Sequence, residues 1–388
     1  MKTVPLGSLC ELRNGRAFKS EEWSDYGTPI VRIQNLNDES KPFNYCRFEV
    51  EPKFWVNSGD LLFSWSGTPG TSFGAFFWNR GRGFLNQHIF RVDTNEKVDK
   101  SYLRYALNSL ISRIIDHAHG GVGLKHITKS KLEGLEIPLP QLAEQRRIAA
   151  ILDKADALRA KRREAIAKLD QLLQSVFLDM FGDPVANPKG WPTATLSSLA
   201  REKMSNGIFR KNENYSDAGL PVVWVEDLFR GHVLKLSTSR VLVPSGRDIE
   251  SYGLLPGDIL FCRSSLKLDG IAYNNVYLGS PNEALFECHL IRLRVREDLV
   301  DPVFLNYLLR NGGVREQIKS RAKTSTMTTI DQKGLGDVQV VIPTLKLQKE
   351  FRTALNAWTQ HLEWLNMQLL SVNNLFGSLQ QRAFAGML

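Results

Sequence analysis

Few residues in this chain of 388 have the types and spacing that bond-making chemistry needs. A phosphate loop of the form G-x-x-x-x-G-K-[ST], whose backbone N–H groups cradle ATP, does not occur. Nor does an Asn-Pro-Pro-aromatic or Asp-Pro-Pro-aromatic stretch, with which amino-methyltransferases hold a flipped base. Asp301-Pro302-Val303-Phe304 comes nearest, but it lacks the second proline and sits where a helix should start, so Asp301 reads as a cap. Gly120-Gly121-Val122-Gly123 has no strand-loop-helix context with a later acidic residue and reads as a plain loop. His117, His119 and His126 lie close together, yet no carboxylate or cysteine at matching spacing completes a metal set. Cys10, Cys46, Cys262 and Cys288 form no CxxC pair and read as free thiols of a reducing cytosol, with zinc disfavoured.

The chain reads as a bivalent binder rather than as one active site, because the elements that would position its binding groups occur twice. A strand-like run ending in proline, followed by a long amphipathic helix, recurs at an offset of 203. The first copy is Ile137-Pro138-Leu139-Pro140, then Leu142, Gln145 and Ile148; the second is Val340-Val341-Ile342-Pro343, then Leu345, Gln348 and Phe351. The duplication continues upstream with drifting offset. Pro29 to Leu36 lines up with Pro221 to Leu228, Gly59 to Phe63 with Gly257 to Phe261, and His88 to Val92 with His289 to Leu293. These are short β-rich runs bounded by Gly, Asp and Pro turn signals. Tyr102 to Leu110 and Phe304 to Arg310 read as short helices opened by caps at Asp99 and Asp301. Each module is thus α+β, with short strands that suggest a small, curved or barrel-like mixed sheet.

In the second long helix Leu355, Trp358, Leu362, Leu365, Leu369, Val372, Phe376, Leu379 and Ala383 recur in alternating steps of three and four, a heptad seam. The same positions of the first are Leu152, Ala155, Arg159, Arg162, Ile166, Leu169, Leu173, Val176 and Met180. Each helix needs a partner along its length, and the other helix of the chain, laid antiparallel as a coiled coil about 50 Å long, is the nearest. Homodimerisation, or packing of each helix on its own module, is the alternative. The expected division is a module over 1–140, a central helical spacer over 141–182, a second module over 183–343 and a C-terminal helical spacer over 344–388.

Net charge is +9, which favours a polyanionic partner, although no segment is a basic tail. Any such partner must meet charges clustered on folded surfaces. No apolar run approaches the roughly 18 residues of a membrane span. The start, Met1-Lys2-Thr3-Val4-Pro5, lacks the apolar stretch of a signal peptide, so a cytoplasmic location without membrane contact is expected.

The run Ile137 to Asp153, through Gln141-Leu142-Ala143-Glu144-Gln145-Arg146-Arg147-Ile148, resembles the domain-to-helix junction of the DNA specificity subunits of type I restriction-modification systems. The exit Phe177-Leu178-Asp179-Met180-Phe181-Gly182-Asp183-Pro184 is similar to theirs as well, and Leu347-Gln348-Lys349-Glu350 is a more degenerate second junction. The resemblance spans essentially the whole chain. It implies two tandem target-recognition domains, each reading one half of a bipartite, asymmetric site on double-stranded DNA, with the helices as the ruler between halves. It implies a non-catalytic subunit whose partners are two methyltransferase subunits and, where encoded, restriction and translocase subunits. S-adenosylmethionine, ATP and Mg would then sit on those partners and none on this chain. A related system in which methyltransferase and nuclease are fused on one partner chain is the second reading, and a structural adaptor that bridges proteins without DNA is the third.

Three loop positions that recur in both modules are the candidate DNA contacts. Ser64, Trp65 and Ser66 stand against Arg263, Ser264, Ser265 and Lys267, where small residues admit a backbone and Arg263 could fork onto guanine, or the segment is an ordinary hairpin. Lys125 and His126 stand against Lys323 and Thr324, phosphate contacts or solvated loop. Gln34 and Asn35 stand against Glu226 and Asp227, where amides suit adenine and carboxylates suit cytosine, with turn capping by Asn35 and Asp227 as the competing role. Arg16, Lys19, Arg210 and Lys211 are candidate phosphate clamps. His88 and His289 read as structural groups, and Trp191, Trp358 and Trp364 as core or seam. Arg159 and Arg162 interrupt an apolar seam, and with Arg163 they are expected to dock a partner.

Overall fold

The same set of small sheets is built twice. In the computed structural model, which describes residues 2–388 apart from 69–70, 117, 121–124, 212–214, 217, 237–239 and 325–326, each half of the sequence folds into one module. An antiparallel sheet runs in the order Cys10–Asn14, Ile89–Thr94, Asp60–Ser64, Gly74–Trp78 in module 1. Ser205–Asn206, Leu290–Leu293, Ile259–Cys262, Asn274–Val276 repeat that order in module 2. A second sheet carries one parallel pair, Thr28–Val31 beside Gly83–Leu85, matched by Leu220–Val223 beside Leu285–Phe286. A small three-stranded sheet joins Ser66–Gly67, Lys125–His126 and His119–Gly120, matched by Ser264–Ser265, Thr328–Thr329 and Lys323–Thr324. Thr3–Pro5 pairs with Glu136–Pro138, and Thr193–Thr195 with Gln339–Val341. The expected barrel-like sheet is therefore a set of separate small sheets, because strands of two to six residues turn before they can extend a ladder. Gly59 and Gly257 make one of those turns, each with φ of 93° that a side chain would disfavour.

Both long helices keep the offset of the sequence repeat: the central helix is Leu142–Phe181 and the C-terminal helix Leu345–Phe384. The short helices Lys100–Ser109 and Pro302–Leu308 open as expected, the Asp99 carboxylate accepting from Tyr102 N–H and the Asp301 carboxylate from Val303 and Phe304 N–H. A buried glutamine then ties each long helix to its own module. Gln145 Oε1 accepts from Asp99 N–H at 2.8 Å, while Nε2 donates to Lys97 O at 3.1 Å and Pro140 O at 2.9 Å. Gln348 repeats this, accepting from Asp301 N–H at 2.7 Å and donating to Pro343 O at 2.7 Å and Leu299 O at 3.5 Å.

Two compact units result, Met1–Glu164 with Met367–Leu388, and Ala165–Asn366. Each contains the start of one long helix and the end of the other, running antiparallel. In unit 1 Ile148, Ala149, Leu152 and Ala383 enter the core of module 1, with Phe376, Leu379 and Phe384 packed against it. Tyr102 meets Phe384 at 5.5 Å and Tyr105 meets Phe376 at 5.9 Å between ring centroids. In unit 2 Phe177, Phe181, Phe304 and Phe351 form an aromatic knot, Phe181 lying 4.8 Å from Phe304 and Phe177 5.4 Å from Phe351. The division expected at 140/141 and 343/344 falls at the helix starts, whereas the compact units cut through the helices, because helix ends are where the apolar area is buried.

Three seam assignments change. Phe177 and Phe181, not the half-buried Val176 and Met180, carry the inner stripe at the end of the central helix. Trp358 is buried in the seam as expected and donates Nε1–H to Leu169 O at 2.9 Å, but Trp364 is exposed. Arg159 finds its partners within the chain: Asn373 Oδ1 at 2.8 Å, Asp156 at 3.1 Å and the face of Phe376.

Two predictions concern stability. Replacing Gln348 with leucine keeps the volume but leaves three backbone groups unpaired, so unfolding free energy should fall by about 3 kcal/mol or more. Gln145→Leu should do the same, and a midpoint in urea that does not move would mean water replaces the amide. Secondly, burial, helped by Arg310, pushes the His232 imidazole down to about 4, with its ring edge-on to Trp358 at 4.5 Å. The unfolded imidazole, at about 6.5, takes up a proton that the folded one refuses, so stability present above that pH is lost as pH falls from about 6.5 towards 4. H232Q should lose less stability than the natural protein over that interval, measured by urea unfolding at both ends; equal losses would exclude this residue.

Candidate nucleic-acid interface

In each module four chain segments meet at one surface, and backbone hydrogen bonds set their register. Asn86 N–H donates to Val31 O at 3.1 Å, and Trp65 N–H to His88 O at 3.3 Å. Ile127 N–H donates to Trp65 O at 3.1 Å. Module 2 repeats each bond, Glu287 to Val223 at 3.1 Å, Arg263 to His289 at 2.8 Å and Ile330 to Arg263 at 3.0 Å. Gly15 and Gly207 allow the strand crossing beneath, where an added Cβ would stand 2.1 Å from Asn86 O and 2.2 Å from Phe286 O.

These bonds correct two alignments. Trp65, not Ser64, is the counterpart of Arg263; a slip of one residue reverses which side faces out, and Ser64 is buried like Cys262. Lys125 and His126 correspond to Thr328 and Thr329, while Lys323 and Thr324 correspond to His119 and Gly120 on the other strand of the hairpin. Leu124, Ser325 and Thr326, the glycine loop at 121–123, His117, and the side chains of His119 and Thr324 lie outside the described residues.

The candidate contacts now separate by what their side chains touch. Asn35 is 1 % exposed; its Oδ1 accepts from Arg32 N–H, and its Nδ2 donates to the Lys41 and Pro42 carbonyls. Asp227 is 2 % exposed and accepts from Trp224 N–H at 2.9 Å. Both are caps, a correction to their assignment as base readers, since neither side chain reaches solvent; the adjoining Gln34 and Glu226 are exposed. Arg16 is held by Glu22 at 2.5 Å and lies over Phe18 and Phe48. Arg210 is likewise held by Asp248, its Nη2 lying 2.9 and 3.0 Å from the two carboxylate oxygens. With their charge neutralised inside the module, these two order the loops, while Lys19 and Lys211 beside them are exposed.

Ser66 is buried, and Trp65 packs between His88 and Phe90 at 5.5 and 5.6 Å. Burial, reinforced by Arg32, lowers the His88 imidazole below its ordinary value. Lys125 is half-buried and donates to Ile115 O at 3.3 Å; His126 is exposed. In module 2 a cleft of about 430 Å³ is lined by Arg263, Ser264, His289, Arg321, Lys323, Thr329 and Asp331. Arg263, Lys267 and Lys323 are exposed there, and Ser264 and Ser265 half-exposed. His289 Nδ1 lies 2.7 Å from the buried Glu287 carboxylate. Cys288 lies beside them, but Sγ, Nδ1 and the carboxylate already bond to one another. The cleft suits an anion with several oxygens. Among the seam arginines Arg159 is bonded within unit 1, Arg162 is half-buried and Arg163 is exposed.

Aromatic residues interleaved with arginines were not singled out from the sequence, though the structure brings them to the same surface. Arg32 lies over Trp23 at 5.0 Å, Arg47 over Tyr26 at 4.4 Å and Arg240 over Trp224 at 3.8 Å, with Tyr215 against Trp224 at 5.7 Å. Their signal in the sequence was the alignment of Arg32 with Trp224, flanked in both copies by aromatics in turns.

Residues 1–168 match the family described as the type I restriction modification DNA specificity domain. Along 99 % of its length the chain is 22 % identical to the type I restriction enzyme EcoBI specificity subunit of Escherichia coli, covering 85 % of that protein. It is 23 % identical to the StySPI specificity subunit of Salmonella potsdam, covering 99 % of this chain and 88 % of that one. The fold matches the S subunit of a type I restriction-modification system from M. genitalium with a TM-score of 0.60 at 17 % identity, over 99 % of this chain and 96 % of the other. No helix among the described residues is long and apolar enough to cross a membrane. A chain that repeats one α+β module and joins both copies through paired long helices is thus similar, along nearly its whole length, to the specificity subunits of type I restriction-modification systems, which are non-catalytic recognition components.

Proposed function

We propose that this chain reads a bipartite, asymmetric target on double-stranded DNA, one half through each module, and brings methyltransferase subunits to it. The observation that carries this reading is that the two modules share topology while differing in chemistry at equivalent surface positions. Trp65 corresponds to Arg263, Asn86-Gln87-His88 to Glu287-Cys288-His289, and Arg32 to Trp224. Two copies of one scaffold with unlike surfaces suit two half-sites of unlike sequence; identical surfaces would suit a palindrome. Exposed Lys19, Lys211, Lys267, Lys323 and Arg263 supply sequence-independent phosphate contacts. S-adenosylmethionine, ATP and Mg belong, on this reading, to partner subunits.

Docking falls to the outer faces of the long helices. In unit 1 Met367 and Leu370 are 62 % and 60 % exposed, with exposed Leu375 and Arg163 on the same paired segments. Apolar side chains left uncovered on an otherwise seam-paired helix suit another protein's helix. Arg159, bonded within the chain, supports the pairing instead.

Two experiments test this reading. Co-expression with the neighbouring methyltransferase and genome-wide mapping of methylated bases should return a split motif with a fixed gap, and an unsplit or absent motif would refute it. Affinity of the assembled complex for that motif should fall linearly in log K against log salt, by roughly 0.9 per phosphate neutralised; a flat dependence would leave only the adaptor role. For docking, M367E with L370E should abolish co-purification of the methyltransferase while leaving the unfolding free energy within about 0.5 kcal/mol, as for surface changes generally. Retained co-purification would move the docking face elsewhere.

A further inference from the structure

We infer that Arg32 in module 1 and Arg240 in module 2 are the base-reading groups of their half-sites, each an arginine placed over an indole with N–H groups kept for the O6 and N7 acceptors of a guanine. The inference rests on the reading of the modules as DNA readers and adds the residues and base that set specificity.

Arginines at this surface fall into two sets. Arg16 is forked onto Glu22 through both terminal nitrogens, and Arg210 is ion-paired with Asp248 through Nη2 while Nη1 donates to Phe209 O, so both are tied down within their own module. Arg32 and Arg240 have no carboxylate within ion-pair reach among the described residues. Arg32 donates once, to Asn44 Oδ1 at 2.9 Å, which leaves most of its five N–H groups available. Each guanidinium is instead placed by an aromatic ring, with Arg32 Cζ 5.0 Å from Trp23 and Arg240 Cζ 3.8 Å from Trp224. A ring contact of this kind localises the guanidinium without using its N–H groups, and a localised fork loses little freedom when it meets a rigid pair of acceptors. That edge matches guanine in the major groove better than any other base.

The two stacks are equivalent in structure while their residues are exchanged. Backbone register places Arg32 with Trp224, through the Asn86–Val31 and Glu287–Val223 bonds, both 3.1 Å. It places Asn44 with Arg240, since Asn44 pairs with Ile30 and Val222 N–H donates to Arg240 O at 3.0 Å. It places Trp23 with Tyr215, next to the bridges of Ser24 with Tyr45 and Ser216 with Val241. Module 1 therefore sends its cation from the end of the inner strand and its ring from the loop. Module 2 sends the ring from that strand end and the cation from the neighbouring strand. The stack is kept in both, but its guanidinium starts from a different strand, so the two modules would offer the fork at different places along the groove. Packing alone gives no reason for a cation at this position in either module, whereas readout of two different half-sites does.

The test uses the full chain assembled with its methyltransferase, selecting bound duplexes from a randomised DNA library. R240Q should remove the preference for G·C at one position of one half-site, a loss of roughly 10- to 100-fold in discrimination. The other half-site and the gap should be unchanged. R32Q should do the same in the other half-site only. R240K keeps the charge and the ring contact but not the fork; it should also relax that position while retaining most of the affinity, which excludes misfolding as the cause. If all three variants select the natural motif unchanged, with affinity lowered evenly across sequences, the two arginines are phosphate contacts and the inference is overturned alone. If the natural complex itself selects no motif, the functional reading fails and takes the inference with it.

Discussion

The structure depends on one side-chain amide used twice. Gln145 and Gln348 each bridge three backbone groups from different parts of a module, namely the N–H of a helix-capping aspartate, a carbonyl just before that cap, and the carbonyl of the proline two residues beyond the last strand. Both glutamines are buried, so each amide must meet its partners in one geometry or leave polar groups unpaired at about 1–3 kcal/mol apiece. The first turn of each long helix is thereby held against the strand and short helix of its own module. A heptad seam by itself would let a helix pivot about its start; the amide removes that freedom. The identical boundaries of the two helices under the repeat offset follow from this junction, which sets where each helix begins and which face enters the core.

Around that fixed junction the modules have been free to differ. The inner sheet, the parallel pair and the capped short helix recur because they bury the same faces: Leu61 and Phe63 in one copy, Ile259 and Phe261 in the other. Positions that point outward from the same strands obey no such constraint. Trp65 and Arg263 occupy one register position with opposite chemistry, and so do Arg32 and Trp224. Separating a packed face from a variable face on every strand lets one scaffold carry two specificities, and the cost of changing a reader is confined to the surface.

Sequence patterns revealed the scaffold better than the surface, for physical reasons. Helix periodicity and proline-terminated strands are set by burial, which acts on every residue of an element, so the duplication and both helices were legible. Local caps at Asp99 and Asp301 were legible too, because a cap is defined by its neighbours in sequence. The ends of the seam were not, since Phe177 and Phe181 are drawn into the module by Phe304 and Phe351, residues more than a hundred positions away. Loop register failed for a similar reason. A slip of one residue between Ser64 and Arg263 changes little in composition but exchanges an inward for an outward side chain, and only the bonds to His88 and His289 decide it. Asn35 and Asp227 look like readers by type, but both side chains are buried at their caps, out of reach of a base. Arg16 and Arg210 look like phosphate clamps until Glu22 and Asp248 are seen to hold them.

Arg159 shows how a residue that weakens a seam can still define it. In an all-apolar interface, shifting one helix by a heptad replaces leucine with leucine and changes the energy little. A guanidinium placed at such a position pays its desolvation back only where a matching acceptor stands opposite. In unit 1 that acceptor is Asn373, with Phe376 beneath the group and Asp156 one turn behind it. A heptad slip in either direction would move Asn373 about 10 Å along the axis and leave the half-buried guanidinium with only Asp156 of its own helix, without its hydrogen bond and ring contact across the seam. The apolar positions supply the attraction between the helices, and the single arginine selects one alignment among those the attraction would allow.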